Sequence, residues 1–156
     1  MAKELTKQDI LELLAENSRE LQRQGQEFDR RMKELSRQIG DLSHTWGRFA
    51  EEQVKPHAIQ MFRNRGIDIH YKSEHIEFEV ANQKYVEIDL LLKNDQTAVV
   101  IEIKNTLRQK DVERHLERME KILSKPVNEL KNKQLIGAVA GNMMTKEVEK
   151  FAIQAG

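Results

Sequence analysis

The stretch Tyr85-Val86-Glu87-Ile88-Asp89-Leu90-Leu91-Leu92-Lys93-Asn94-Asp95-Gln96-Thr97-Ala98-Val99-Val100-Ile101-Glu102-Ile103-Lys104 decides the fold. Two runs dominated by aliphatic residues flank the turn-forming segment Lys93-Asn94-Asp95-Gln96, the pattern of a β-hairpin. A turn centred between Asp95 and Gln96 sets Leu90 against Ile101 and Asp89 against Glu102. Directly opposed side chains in an antiparallel pair lie about 4.5–5.5 Å apart at Cβ, where like charges repel. Period-two alternation puts Glu102 and Lys104 on one face of their strand and Val99, Ile101 and Ile103 on the other. Two acids and one ammonium, Asp89, Glu102 and Lys104, are therefore expected to converge on a face shared with Leu91 and Val100. The competing reading is a solvated hairpin face on which Glu87 opposes Lys104 and Glu102 pairs with a neighbouring base.

Outward from the hairpin, Ile67-Asp68-Ile69-His70 and Ile76-Glu77-Phe78-Glu79-Val80 alternate and read as strands. On the C-terminal side, residues 106–124 place Leu107, Val112, Leu116, Met119 and Leu123 on one helical face, with Pro126 ending the helix. The same helix carries a basic stripe of Lys110, Arg114, Arg118, Lys121 and Lys125, interleaved with Asp111, Glu113, Glu117 and Glu120. Such interleaving reads as a salt-bridged, solvated face rather than a phosphate track. Leu135–Ala140 reads as a buried strand closed by Gly141, and Thr145–Ile153 as a last helix. The expected order is helix, three strands, helix, strand, helix: an α/β domain with a mixed central sheet flanked by helices.

Composition shifts near residue 45, which divides the chain into a helix over 1–42 and an α/β domain over 43–156. In the first part Leu14, Leu21, Phe28, Leu35, Leu42 and Phe49 recur every seven residues, with Met32, Ile39 and Trp46 at the complementary position. This is a coiled-coil seam, weaker before Phe28, where the complementary positions hold Asn17 or Ser18 and Gln24 or Gly25, and fraying is expected there. Thr6 followed by Asp9 is a plausible N-cap, and no proline interrupts the pattern before Pro56. One long helix, or two in succession, follows. Its apolar seam must pair with a second copy or fold back on the domain; self-association through residues 10–49, as a homodimer or higher oligomer, is the simpler solution.

Lysine plus arginine and aspartate plus glutamate both number 26, so no net basic excess advertises polyanion binding, and any nucleic-acid contact must be local. Cysteine is absent, which removes thiolate metal sites and cysteine nucleophiles and fits a reducing cytoplasm. No apolar run approaches the roughly 20 residues of a membrane span, and Met1–Lys7 lacks the apolar stretch of a secretory signal. The five histidines, His44, His57, His70, His75 and His115, show no ligand spacing and read as surface or interface residues, with His115 near the apolar face of its helix. Without thiolates, metal chemistry must use oxygen or imidazole, and hard oxygen donors without clustered histidine suit magnesium or manganese better than zinc. A divalent cation, magnesium or manganese, would neutralise Asp89 and Glu102, bind a phosphate oxygen and lower the pKa of a water, while Lys104 positions that water or steadies developing charge.

At Ile88-Asp89, twelve intervening residues, and Glu102-Ile103-Lys104, the sequence resembles the PD-(D/E)XK nuclease superfamily, the restriction-endonuclease-like fold. Element order agrees, and the similarity covers residues 43–141; it also resembles bacterial proteins of uncharacterised function that join an N-terminal coiled coil to this fold. The resemblance implies a metal-dependent nuclease, acting on DNA, in which Asp89, Glu102 and the Ile103 carbonyl hold the metal and Lys104 assists the nucleophilic water. It further implies an acid from the first helix, Glu51 or Glu52 in Gly47-Arg48-Phe49-Ala50-Glu51-Glu52, supporting a metal or Lys104. Ile88 replaces the proline that names the motif, and the chain stops at Gln154-Ala155-Gly156, where the family adds a last strand. The alternative is a non-catalytic nuclease-like scaffold serving as a coiled-coil interaction or nucleic-acid-binding module.

Overall fold

The computed structural model describes residues 6–156; Met1–Leu5, part of the segment read for a secretory signal, lie outside the described residues. The elements are α1 (Lys7–Asn64), β1 (Tyr71–Val80), β2 (Lys84–Lys93), β3 (Thr97–Thr106), α2 (Gln109–Ser124), β4 (Gln134–Met143) and α3 (Lys146–Ala155). A short 3₁₀ turn at Ala81–Gln83 joins β1 to β2. The chain forms two compact units, one up to His44 and one over Thr45–Gly156. No helix among the described residues is long and apolar enough to cross a membrane.

The first unit is helical from Lys7. Thr6 and Asp9 form a reciprocal cap: the Thr6 amide donates to Asp9 Oδ2 at 2.8 Å and the Asp9 amide to Thr6 Oγ1 at 3.2 Å. Where fraying was expected, before Phe28, the helix is continuous. Pairs on its surface recur every seven residues: Glu20 with Arg23, Glu27 with Arg30 and Glu34 with Arg37, at 2.7, 2.9 and 2.8 Å. Each is exposed and screened by solvent, so it supports the helix only weakly. The seam residues stay outside any core of this unit, with Leu21 61% and Phe28 63% exposed.

In the second unit, Pro56 does not end α1 as its chemistry suggests. A mid-helix proline lacks an N–H and crowds the preceding turn, at about 3 kcal/mol. On either side of it Ala50, Val54, Ala58, Ile59 and Phe62 pack onto the sheet and offset that cost. Ile67–His70 is likewise not a strand but an extended link. The alternation of Ile67 and Ile69 reflects burial in the α1-side core, and pairing begins at Tyr71 opposite Lys93.

The sheet runs β1-β2-β3-β4, antiparallel except for the parallel β3–β4 pair, with α2 as the crossover that parallel strands require. The hairpin register is the one expected, with Leu90 opposite Ile101 and Lys93 opposite Ala98. Asn94 fixes the turn by accepting from the amides of Gln96 and Thr97 at 2.9 and 2.7 Å. One face of the sheet buries Leu90, Leu92, Val99, Ile101 and Ile103 under α1, and the other buries Leu91, Ala98 and Val100 under Met119 and Ile122 of α2. The result is a mixed α/β architecture with helices on both faces.

Gly141 lets β4 pass close to the end of β3 and the link that follows it, since a Cβ there would stand 2.9 Å from Leu107 Cβ and 3.3 Å from the Lys104 carbonyl oxygen. Gly141→Ala is expected to cost about 1–3 kcal/mol in urea denaturation, the range of overpacking. Gly137→Ala should cost less, because its nearest neighbour at 3.2 Å is Cγ of the flexible Met119 side chain.

Candidate functional site

The site begins where β2 and β3 part. Their registered pairing ends at Leu90↔Ile101, one position short of Asp89 and Glu102. Beyond it β2 continues against β1 and β3 against β4, so the sheet forks. Asp89 occupies the fork, where its Oδ2 accepts the Ile103 amide at 2.8 Å. A side chain thereby satisfies a backbone donor on the strand that has moved away.

Alternation along β2 also breaks at this point. Ile88 and Leu91, three residues apart, share the α2-side core, while Leu90 lies in the α1-side core. The opposite strand breaks with it: β1 pairs Glu74 with Leu90 and Ile76 with Ile88, with no registered pair between His75 and Asp89. His75 has φ +48, a left-handed conformation that costs a residue with a side chain about 1–3 kcal/mol. The expectation that Asp89 and Glu102 sit opposite each other on one regular face is corrected accordingly. Register was right, but a double irregularity turns Asp89 toward α1.

Two groups of side chains result. Toward α1, donor atoms of Glu51, His75 and Asp89 all lie within 4.8 Å of one another. Lys55 Nζ stands 2.7 Å from Glu51 Oε2, 3.3 Å from His75 Nε2 and 3.1 Å from Glu74. Toward α2, Glu102 is 6% exposed, with Oε1 2.8 Å from Lys104 Nζ and Oε2 bonded to Arg118 Nη1. Arg118 Nη1 also reaches His115 Nδ1 at 3.2 Å, while His115 Nε2 lies 3.0 Å from the Val100 carbonyl oxygen. A carbonyl can only accept, so Nε2 carries the hydrogen and Nδ1 is left to accept from Arg118.

The electrostatics follow from these partners. Burial raises the Asp89 pKa, opposed by the Ile103 amide and reinforced by the charge of Glu102. Burial works in the same direction on Glu102, but the Lys104 hydrogen bond and the Arg118 charge outweigh it and hold its carboxyl below the usual range. Lys104 is partly buried, yet Glu102 lifts its pKa, so at neutral pH it is an ammonium and not a base. Burial, then the Arg118 charge, depress His115 and keep it neutral.

Of the residues singled out in the sequence, Glu102 and Lys104 touch, Asp89 and Glu51 join a common cluster, and Ile103 contributes its amide to Asp89. Four participants escaped the sequence reading. Arg118 was assigned to a solvated stripe, but it reaches inward because Glu102 needs a second cation. His115 was read as a surface or interface residue, yet it is 3% exposed. His75 enters through a backbone irregularity that no one-dimensional pattern encodes. Lys55 alone was signalled, four residues after Glu51 on one helix face.

Opposite stability effects are expected from the two acids. Asp89→Asn keeps an acceptor for the Ile103 amide and removes a charge that burial disfavours, so thermal unfolding at pH 7 should move up by a few degrees. The folded pKa is raised, so the native state loses stability as pH climbs past the unfolded carboxylate value. The difference between variant and parent should therefore vanish below about pH 3. Glu102→Gln leaves Lys104 and Arg118 without their anion and should cost about 1–3 kcal/mol at pH 7, discounted because both cations reach solvent. That contribution belongs to a depressed pKa and should fade as pH falls through it.

Neither the protein-family models nor the curated proteins compared with the chain match it. Among solved structures, a crystal structure titled as a protein of unknown function, AF1548, is similar at 17% identity and a TM-score of 0.42, over 64% of this chain and 51% of that one. The match thus spans about half of that protein and carries no argument about fold or function.

Proposed function

We propose that this protein is a metal-dependent nuclease of the PD-(D/E)XK type, hydrolysing phosphodiester bonds in DNA. The observation that carries the reading is the fork: Asp89 held at the parting of two strands, with the Glu102–Lys104 pair beside it and Glu51 from α1 on its other side. Asp89 is the residue on which a cation site would centre. The resemblance supplies Glu102 and the Ile103 carbonyl as further ligands, and the cluster toward α1 offers Glu51 and His75. A bound magnesium or manganese ion would supply charge neutralisation at the phosphate and a more acidic water.

The chain's own groups divide the remaining tasks. Lys104 stays protonated at neutral pH, so it would donate to the attacking water or the developing phosphorane charge, and Glu102 fixes its Nζ. Arg118 holds Glu102 from the other side and so acts as a positioning residue. The absence of cysteine fits a reducing compartment, the cytoplasm.

A second reading, a non-catalytic nuclease-like scaffold, draws on a specific feature. Glu102 is already neutralised by Lys104 and Arg118, and Glu51 by Lys55, an arrangement stable without any ion. Plasmid and single-stranded DNA incubated with Mn²⁺, with Mg²⁺ or with neither separate the two. The nuclease reading expects cation-dependent cleavage that falls about a hundredfold or more in Lys104→Ala. Cleavage equal in parent and variant, or none with either ion, would leave the scaffold.

We also propose that residues 10–49 form a homodimeric coiled coil. Leu14, Leu21, Phe28, Leu35, Ile39 and Leu42 are all about half exposed or more, at heptad spacing. Two active sites related by a two-fold axis would suit the two strands of a duplex. Light scattering of the triple variant Leu21→Glu, Phe28→Glu, Leu35→Glu should give half the mass of the parent, with the far-ultraviolet signature of the α/β domain retained.

A further inference from the structure

Resting on the nuclease reading, the question is which side of Asp89 would receive the cation. The α2 side is poorly suited. Both carboxylate oxygens of Glu102 already have cationic partners, Oε1 with Lys104 and Oε2 with Arg118. A metal ion there would have to displace an ammonium or a guanidinium, and removing either leaves a partly buried cation without its anion.

The α1 side differs in four respects. Three donor side chains converge from three separate elements, Glu51 of α1, His75 of β1 and Asp89 of β2, with donor atoms within 4.8 Å of one another. Three ligands evenly spread about 2.2 Å from one ion are about 3.8 Å apart, so a triad at the 4.8 Å limit closes onto it with side-chain movements of under about 1 Å. Asp89 Oδ2 is committed to the Ile103 amide, and Oδ1 has no protein donor among the described residues.

The cation now in the cluster can leave without becoming an orphan. Lys55 Nζ bonds Glu51 at 2.7 Å but also Glu74 at 3.1 Å, so withdrawal from Glu51 leaves it an anion. Finally, His75 sits in a left-handed conformation in mid-strand, opposite Asp89 at the gap in the β1–β2 ladder. That geometry aims its Nε2 to within 3.0 Å of Glu51 Oε2.

We infer that Glu51, His75 and Asp89 form the cation site, with His75 taking the third-ligand role that the motif assigns to Glu102. One imidazole among two carboxylates makes the donor set softer than an all-oxygen site. It therefore favours a first-row transition ion such as Mn²⁺ over Mg²⁺, which demands hard oxygen and gives up its water reluctantly. Glu102 is then a positioning residue for Lys104 and not a metal ligand.

The test is Mn²⁺ titration of the full-length, metal-free protein, followed by calorimetry and by electron paramagnetic resonance. The parent should bind one Mn²⁺ per chain and show ¹⁴N modulation from a coordinated imidazole. His75→Ala should weaken Mn²⁺ at least tenfold, abolish the ¹⁴N signal and change Mg²⁺ affinity by no more than about twofold. His75→Gly should behave alike while being at least as stable as the parent, since glycine relieves the left-handed backbone, so unfolding cannot explain the loss. Glu102→Gln should leave Mn²⁺ affinity within about twofold.

Absent Mn²⁺ binding by the parent, absent ¹⁴N modulation, or a larger loss in Glu102→Gln than in His75→Ala overturns the inference. Cation-dependent cleavage that needs Glu102 but not His75 would sink this assignment and leave the nuclease reading standing. Mn²⁺ held through His75 by a protein that cleaves no nucleic acid would do the reverse.

Discussion

The hydrogen bond from the Ile103 amide to Asp89 Oδ2 holds the rest of the site in place. A β-sheet resists splitting, because each strand that leaves its neighbour strands a row of buried donors and acceptors. Here the first donor stranded when β3 leaves β2 is captured by a side chain that stays with β2. The fork is thereby stabilised and the carboxylate is immobilised by the same bond. The burial that comes with this position raises the Asp89 pKa, so stability and site chemistry pull against each other at one residue.

Around that bond the neighbouring acids Glu102, Glu51 and Glu74 each have a cationic partner, whereas Asp89 has the Ile103 amide. Glu102 is clamped between Lys104 and Arg118, Glu51 is held by Lys55, and Glu74 is shared by Lys55 and Lys72 at 3.1 and 2.9 Å. A chain of contacts runs from the Val100 carbonyl through His115 and Arg118 to Glu102 and Lys104, tying α2 to β3 by polar bonds as well as by Met119 and Ile122. Such a network is favourable only when complete, since each member left without its partner carries the cost of a desolvated charge. On the α1 side the partners are interchangeable, since Lys55 bonds both Glu51 and Glu74.

The elements themselves were legible in the residues. The hairpin register followed from the turn around Asp95 and Gln96, the helices from apolar spacing and from Thr6, Thr145 and Pro126, and element order from their succession. One local signal misled: Ile67–His70 alternates because it is half-buried, not because it pairs. Pro56, a helix breaker by its chemistry, lies inside a helix whose neighbouring residues are anchored to the sheet.

By itself the sequence determined which residues form strands and helices, which faces are apolar, and that Glu102 and Lys104 emerge together beside Asp89. Period, turn chemistry and burial are properties of neighbours along the chain, so they can be read there. Only the tertiary structure decided where Asp89 turns, because that depends on an irregularity shared by two strands, with His75 at φ +48 opposite a break in alternation. It also decided that Arg118 faces inward to Glu102 and that Glu51, His75 and Asp89 meet. Those partnerships join residues from different elements, whose distances are set by how helices and sheet stack rather than by any spacing along the chain.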